Sequence, residues 1–147
     1  MKCQAFSTKP SRGKLSSILT EVTLAATVGS TSTSITAIWD TGASSSCLSK
    51  RVARLLHLAP LGMSVVFTAN GRVNCFDYLV DVTLPGGICI KGVRCHEFSG
   101  DPVVDMLVGM DIICMGDFAI TNAQGITLMS YRLPPASRHT DYTQPTS

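Results

Sequence analysis

The chain has 147 residues, of which 45% are apolar and 15% charged, a composition typical of a globular protein long enough to bury one core. Its net charge is only +2, with acids and bases scattered and no interleaving of bases with aromatic residues, which argues against a nucleic-acid partner. The apolar stretches are too short to span a membrane and no secretory signal is recognisable, so we expect a soluble protein without a membrane partner.

The two ends of the chain differ in composition from the middle. Polar residues dominate residues 1–16, whose positive charges are Lys2, Lys9, Arg12 and Lys14. This segment is predicted to be a flexible basic arm rather than a binding module. Residues 135–147 are rich in Pro, Ser and Thr and are predicted to be a disordered tail. The folded domain is therefore expected over residues 17–134.

An acid follows the first clearly strand-like stretch. Residues 37–39 are apolar and run directly into Asp40, Thr41 and Gly42. This pattern predicts a strand that ends in a tight turn, where Gly42 allows the backbone to come close to whatever Asp40 faces. Such a turn suits a carboxylate presented at an active site. Taken alone, an Asp before Gly is more often a simple turn former.

A second strand-Gly element lies downstream, where residues 104–108 are mostly apolar and precede Gly109. With both elements the chain resembles the retropepsin-like aspartic proteases over residues 17–134. Asp40-Thr41-Gly42-Ala43 resembles the catalytic signature of that family, and Leu107-Val108-Gly109 resembles its second element. The resemblance implies a mainly β, single-domain closed sheet, the acid protease fold, with a flap hairpin and one or two short helices.

The single copy of the signature implies a dimer. The chemistry needs two carboxylates that share a proton, because two adjacent negative charges are costly, and one chain supplies one. By resemblance, Asp40 of each subunit activates a water, Thr41 bonds across the two-fold axis and Gly42 offers its carbonyl to the substrate. No metal or other cofactor is expected. The residues that resemblance places around the substrate near the signatures are Ala43, Ser44, Leu107, Val108 and Gly109.

A hairpin is predicted between the two elements. Residues 64–73 form two β-prone arms around Asn70-Gly71, a pair that favours a type I′ turn because both residues accept positive φ. The resemblance implies that this hairpin is the flap, with Phe67, Ala69, Asn70 and Gly71 near the substrate. An ordinary surface hairpin is the alternative.

Several residues depart from the retroviral pattern. Ser44, Ser45 and Ser46 stand where retroviral enzymes carry acids, and Met110 replaces an Arg. A helix predicted over residues 49–58, with Ser49 as N-cap, is absent from retroviral proteases. The resemblance is therefore closer to the cellular and bacterial branch.

The C-terminal part is predicted to be a short helix over residues 111–115 and a hairpin. In that hairpin Phe118 and Ile120 are expected to pair with a face made by Ile126, Leu128 and Ser130. Its free strand edge would invite a partner subunit. In retropepsins the terminal strands form the dimer sheet, and the resemblance implies that role here.

The six cysteines contain no C-x-x-C pair and are interpreted as free thiols, in keeping with a cytoplasmic location. They are Cys3, Cys47, Cys75, Cys89, Cys95 and Cys114. A metal site from Cys89, Cys95 and His96 is disfavoured, because the spacing matches no structural zinc pattern and adjacent strand residues point to opposite faces.

The sequence thus predicts an aspartic endopeptidase that acts as a homodimer on polypeptides, cutting between apolar residues. Motifs for serine hydrolases, phosphate-binding loops and zinc peptidases are not found. The alternative is a catalytically inactive dimeric module that uses the same fold to bind or scaffold peptides.

Overall fold

Strands dominate the structure, a computed structural model that describes residues 2–8, 13–99 and 101–144. Two short helices lie within these ranges, α1 (Lys50–Leu55) and α2 (Met110–Ile113). No helix of the described residues has the length and apolar character needed to cross a membrane. The strands are β1 (Gln4–Ser7), β2 (Leu19–Ala26), β3 (Ser32–Trp39), β4 (Cys47–Ser49), β5 (Gly62–Thr68), β6 (Gly71–Leu84), β7 (Ile88–Phe98), β8 (Met106–Val108), β9 (Asp117–Thr121) and β10 (Leu128–Leu133).

Seven of the strands form one sheet in the order β2-β3-β8-β4-β7-β6-β5, and an additional pairing between β2 and β6 closes it. Strand β3 runs parallel to β8, and β4 runs parallel to β7, while β4 and β8 are antiparallel. The predicted closed β-sheet is confirmed. Among the described residues, strand β5 pairs only with β6 and so extends beyond the closed part as a hairpin arm.

The core lies inside the closed sheet, where strand residues alternate between interior and exterior as a period of two requires. On β6, Tyr78, Val80, Val82 and Leu84 are buried, which is the predicted alternation. Helix α1 covers one end of the sheet. The Ser49 hydroxyl accepts the backbone N–H of Val52 at 3.2 Å, which confirms the predicted N-cap, but the helix ends at Leu55, earlier than expected.

Strand β1 corrects the prediction of a flexible arm over residues 1–16. Gln4–Ser7 pairs with β10, which also pairs with β9, in a separate three-stranded sheet. The physical reason is an aromatic cluster that joins the two sheets. Phe6 lies 6.0 Å from Trp39 and 6.1 Å from Tyr131, and Trp39 stacks on Phe118 at 5.4 Å between ring centroids. Residues 9–12 lie outside the described residues.

The terminal hairpin has a different register from the predicted one. Phe118 pairs with Tyr131, and Ile120 pairs with Met129 rather than with the face of Ile126, Leu128 and Ser130. The connection is longer than expected because a 3₁₀ turn, Ala123–Gly125, places Gln124 at a φ of 54°. Residues 135–144 form no helix or strand, and 145–147 lie outside the described residues, so disorder of this tail stays a prediction.

The turn of the β5–β6 hairpin also differs from the predicted type I′ turn at Asn70-Gly71. Thr68 pairs with Gly71, so the loop residues are Ala69 and Asn70. Among residues 68–71, only Gly71 has a positive φ, at 107°. The Thr68 hydroxyl accepts the N–H of Asn70 at 3.2 Å and donates to the carbonyl of Gly71 at 3.0 Å, and these bonds stabilise the tip without a left-handed Asn.

Candidate active site

Asp40 immediately follows β3 and is fixed by three hydrogen bonds to backbone groups. Its own N–H donates to the carbonyl of Val108 at 3.0 Å, and its carbonyl accepts the N–H of Ala43 at 3.2 Å. Its carboxylate Oδ1 accepts the N–H of Gly42 at 2.8 Å. The turn therefore holds the carboxylate in one orientation while leaving it partly exposed. A group held in this way is suited to act on a molecule that enters from outside.

The two elements singled out in the sequence meet at Gly109. The N–H of Met110 donates to the carbonyl of Ala43 at 2.8 Å, and β3 and β8 pair in parallel alongside. A Cβ atom placed on Gly109 would lie 2.6 Å from the carbonyl carbon of Ser45, closer than real Cβ contacts allow. Gly109 is therefore required for the close approach of the Asp40 turn to β8.

Asp111 was not predicted as a site residue, yet it holds the chain just after the Asp40 turn. Its carboxylate accepts the N–H of Ser46 at 3.0 Å and the Ser46 hydroxyl at 2.7 Å. The Ser46 hydroxyl in turn accepts the N–H of Gly109 at 3.1 Å. An acid two residues after the second Gly was the available signal, but its partner could not be identified without the tertiary structure.

A cleft of ≈ 850 Å³ opens over Asp40 and is bounded on the other side by the β5–β6 hairpin. The structure thus brings most of the predicted site residues together. Those that line the cleft are Asp40, Gly42, Ala43, Ser44, Phe67, Ala69, Asn70 and Leu107.

Four predicted residues do not line this cleft: Thr41, Gly71, Val108 and Gly109. Val108 is completely buried in the core, because side chains on β8 alternate and its neighbour Leu107 points to the cleft. Val108 contributes only its carbonyl, which accepts from Asp40. Thr41 is exposed in the single chain, as is Gly42.

The far wall of the cleft was missed by the sequence analysis. It is formed by residues of β4, α1 and β7, among them Cys47, Lys50, His96, Glu97 and Phe98. Parallel pairing of β4 with β7 brings these residues together, a long-range contact that local patterns do not reveal. The cleft-lining Glu97 carboxylate is engaged, since it accepts the Tyr78 hydroxyl at 2.9 Å and lies 3.7 Å from the Lys50 ammonium.

A buried carboxylate lies beside this wall. Asp77 is fully buried, and its carboxylate accepts the Ser64 hydroxyl at 2.5 Å, the Arg94 guanidinium (Nε at 3.1 Å) and lies 2.6 Å from His96 Nδ1. Burial by itself would raise the pKa of Asp77, but the bonds from Ser64, Arg94 and His96 outweigh it and lower that pKa to about 2. The group therefore fixes β5, β6 and β7 together as an ionised centre.

The cysteines are all free. Burial raises the pKa of the Cys47 thiol to about 11, and burial also raises that of Cys75, so neither cleft thiol is prepared as a nucleophile. Cys95 is completely buried, whereas its neighbour His96 lines the cleft. The structure thus places Cys95 and His96 on opposite faces of β7, and the exposed Cys89 does not gather with them.

Comparison with known proteins agrees with this geometry. The family described as "gag-polyprotein putative aspartyl protease" matches residues 26–114, which include Asp40 and Gly109. The retropepsin-like aspartic protease from Rickettsia conorii is similar in structure, with a TM-score of 0.57 and 20% identity, over 89% of this chain and 95% of that chain. No curated protein matches the sequence.

The EIAV protease, solved in complex with the inhibitor HBY-793, has a TM-score of 0.51 and 21% identity, over 67% of this chain and 86% of that chain. At these identities the two likenesses concern the fold. Together with the family match they confirm the resemblance to retropepsin-like aspartic proteases. The Rickettsia structure matches a larger share of this chain than the EIAV structure does.

Proposed function

Because the chain belongs to the gag-polyprotein aspartyl protease family, we propose that it is an aspartic endopeptidase whose catalytic group is Asp40. The observation that carries this proposal is the position of the carboxylate: it follows β3, is oriented by the Gly42 N–H at 2.8 Å and lies in a cleft of ≈ 850 Å³. A cleft of this size beside a strand-like hairpin suits an extended polypeptide.

We further propose that the working form is a homodimer. Hydrolysis needs one carboxylate to act as base and another to act as acid, and the other acid that lines the described cleft, Glu97, is held by Tyr78 and Lys50. Thr41 and Gly42, beside Asp40, are exposed in the single chain. A second copy supplies the missing carboxylate and covers these residues.

In this dimer the ionised Asp40 takes a proton from a water held between the two carboxylates, and the water oxygen attacks the scissile carbonyl carbon. The protonated Asp40 of the partner subunit gives its proton to the carbonyl oxygen, which forms a neutral tetrahedral intermediate. Asp40, now protonated, gives its proton to the amide nitrogen while the ionised Asp40 of the partner subunit takes a proton from one hydroxyl of the intermediate, and the C–N bond breaks. The Gly42 N–H keeps Oδ1 in place throughout.

The cleft also suggests the substrate class. Ala43 and Leu107 beside Asp40, with Phe67 on the hairpin, offer apolar surface to substrate side chains. The hairpin supplies strand edges that an extended peptide can pair with. We therefore propose cleavage between apolar residues. The expected cytoplasmic location stays a prediction, which the six free thiols support.

The test is cleavage of a peptide library by the purified protein and by Asp40→Asn, with molar mass measured by light scattering. We expect a dimeric wild type that cleaves best at acidic pH, and no cleavage by Asp40→Asn at the same mass. Asp141→Asn, which changes an exposed acid in the C-terminal segment, is the matched control and should cleave normally. Cleavage that survives in Asp40→Asn would refute the proposed role of Asp40.

The alternative function, an inactive dimeric peptide-binding module, rests on the same cleft and hairpin. It predicts that the wild type binds library peptides but leaves them intact at every pH. The same experiment therefore distinguishes the two functions.

A further inference from the structure

Three side chains with metal-binding atoms gather where the β5–β6 hairpin joins the closed sheet. One ligand atom from each of Cys75, Asp77 and His96 lies within 4.8 Å of the other two. Cys75 and Asp77 are two residues apart on β6 and so share one face, and His96 pairs directly with Asp77 from β7. The proposed proteolysis does not use this cluster.

We propose that Cys75, Asp77 and His96 form a binding site for a thiophilic divalent cation, of which Zn²⁺ is the best match, and that the bound cation closes the peptide cleft. A thiolate, an imidazole and a carboxylate are the donors that zinc takes in proteins, whereas Ca²⁺ and Mg²⁺ prefer oxygen ligands alone. Three protein ligands leave a fourth position for water or a substrate group.

The surroundings of Asp77 prepare it as a ligand. Its Oδ2 is engaged by the Ser64 hydroxyl at 2.5 Å and by Arg94, which leaves Oδ1 facing His96 Nδ1 at 2.6 Å. Such outer partners orient a ligating carboxylate and keep it ionised. A cation would take the place of the hydrogen bond that now joins Oδ1 and Nδ1.

Only a small adjustment is required. Zinc bonds of about 2.0 Å at tetrahedral angles place nitrogen and oxygen donors about 3.3 Å apart, so the imidazole, now 2.6 Å from Oδ1, must move back by about 0.7 Å. The Cys75 sulfur, within 4.8 Å of both donors, must move inward by up to about 1.2 Å. His96 has room to do so, because its side chain is 20% exposed and faces the cleft. Cation binding releases the Cys75 thiol proton, and the neutral His96 imidazole then carries its proton on Nε2. The cation then neutralises the two anionic ligands.

The position of the cluster determines how a bound cation would affect the peptide cleft. Cys75 and His96 line the same cleft as Asp40, so the open coordination position faces the space that a peptide would occupy. Cys75 lies on the second arm of the hairpin and His96 on the neighbouring strand β7, and a cation between them would tie the arm to the closed sheet. A cation bound in this way would inhibit peptide cleavage, an effect that rests on the proposed proteolytic function.

Metal binding can be tested without any measurement of activity. The reduced full-length protein is titrated with Co²⁺, whose thiolate charge-transfer and d–d absorption report a Cys ligand and four-coordination. We expect one equivalent bound per chain and displacement by Zn²⁺. Cys75→Ser should lose the charge-transfer band, and His96→Gln should weaken binding by more than about tenfold. Cys89→Ser, which changes an exposed thiol outside the cluster, should titrate like the wild type.

The variants keep Asp77, whose bonds to Ser64 and Arg94 maintain the buried charge, and circular dichroism checks that they fold. Absence of the thiolate band in the wild type, or its persistence in Cys75→Ser, would overturn the site.

Inhibition is tested separately, on peptide cleavage at equal protein concentration. Zn²⁺ should abolish cleavage by the wild type and a chelator should restore it. Cys75→Ser, compared with its own metal-free rate, should lose little of its cleavage when Zn²⁺ is added. Zinc that binds through Cys75 without reducing cleavage would overturn the inhibitory role. A protein that binds Co²⁺ through the three ligands but never cleaves a peptide would support the metal site and contradict the proposed function, so the two failures are distinguishable.

Discussion

Single residues decide whether the Asp40 turn can form. Gly42 supplies the N–H that orients the carboxylate, and Gly109 permits the backbone of residues 43–45 to lie against β8. Asp111 and Ser46 then fix the following chain through hydrogen bonds of 2.7–3.1 Å. The geometry of the Asp40 turn therefore depends on small and polar residues that would attract little notice in a composition count.

Gly109→Ala tests the close approach. The added Cβ would meet Ser45 backbone atoms at 2.6 Å and 2.8 Å, which cannot move aside as a flexible side chain can. We expect the free energy of unfolding to fall by about 3 kcal/mol, measured by urea denaturation. Gly62→Ala is the control, since nothing lies within 4 Å of its Cβ and its φ is not positive. A Gly109→Ala protein as stable as the control would contradict the packing described.

The carboxylate of Asp105 should make the stability of the folded protein depend on pH. Burial would raise the pKa of Asp105, but hydrogen bonds from Arg51 (Nε at 3.1 Å) and the Ser49 hydroxyl at 2.7 Å outweigh it, so that pKa is lowered. A lowered pKa stabilises the folded protein above the unfolded-state value of about 3.9. This stabilisation is lost as pH falls through the lower folded-state value.

Stability should therefore decline below about pH 4, and Asp105→Asn should decline less steeply while being less stable at neutral pH. Urea denaturation of both proteins at neutral pH and at about pH 3 measures the difference. Glu21→Gln serves as a control because that carboxylate is exposed on β2 and makes no ion pair among the described residues. Equal acid sensitivity of wild type and Asp105→Asn would exclude this carboxylate as the source.

At the scale of elements, the β5–β6 hairpin forms one wall of the cleft. It lies beyond the closed sheet, pairs with that sheet through β6 alone in the part of the chain that the structure describes, and carries exposed apolar residues on β5. Phe67 is 76% exposed, although the Arg72 guanidinium lies 5.3 Å from its ring centroid. Such a side chain gains little from folding and is available to contact a ligand.

Phe67→Ala tests the hairpin as a flap. We expect KM for an apolar peptide to rise about tenfold, since the lost contact removes apolar burial worth about 1.5 kcal/mol, with little change in stability. Met63→Ala is the matched control, because Met63 is also exposed, at 63%, on the same strand but does not line the cleft. Equal KM values for both variants would indicate an ordinary surface hairpin.

Strand β1 and the β9–β10 hairpin show which structural features local sequence patterns do not predict. Strand β1 was expected to be flexible because residues 1–16 are polar and basic, yet Phe6 packs on Trp39 and Tyr131 and fixes it. The β9–β10 register was shifted because a 3₁₀ turn lengthens the connection. In both cases one long-range contact or one backbone angle outweighs the local pattern.

At the scale of the whole molecule, the proposed dimer has a kinetic consequence. If wild type and Asp40→Asn are mixed in equal amounts under conditions of subunit exchange, random pairing leaves about a quarter of the dimers with two aspartates. Cleavage per wild-type chain should therefore halve.

The control is an equal mixture of wild type with Asp141→Asn, which retains Asp40. Cleavage per chain in this mixture should stay at the wild-type level, which controls for concentration and crowding. Cleavage per wild-type chain that stays constant in the Asp40→Asn mixture would indicate that each chain works alone, contrary to the shared pair of carboxylates.

The sequence by itself determined the β class, the Asp40 turn, the Gly109 element and the N-cap at Ser49, because each depends on residues close together in the chain. Only the tertiary structure decided the far wall of the cleft, the partners of Asp111 and the cluster of Cys75, Asp77 and His96. These groups come from strands that are distant in sequence and meet through sheet pairing. Their contacts depend on register, and local patterns of hydrophobicity do not fix register between distant strands.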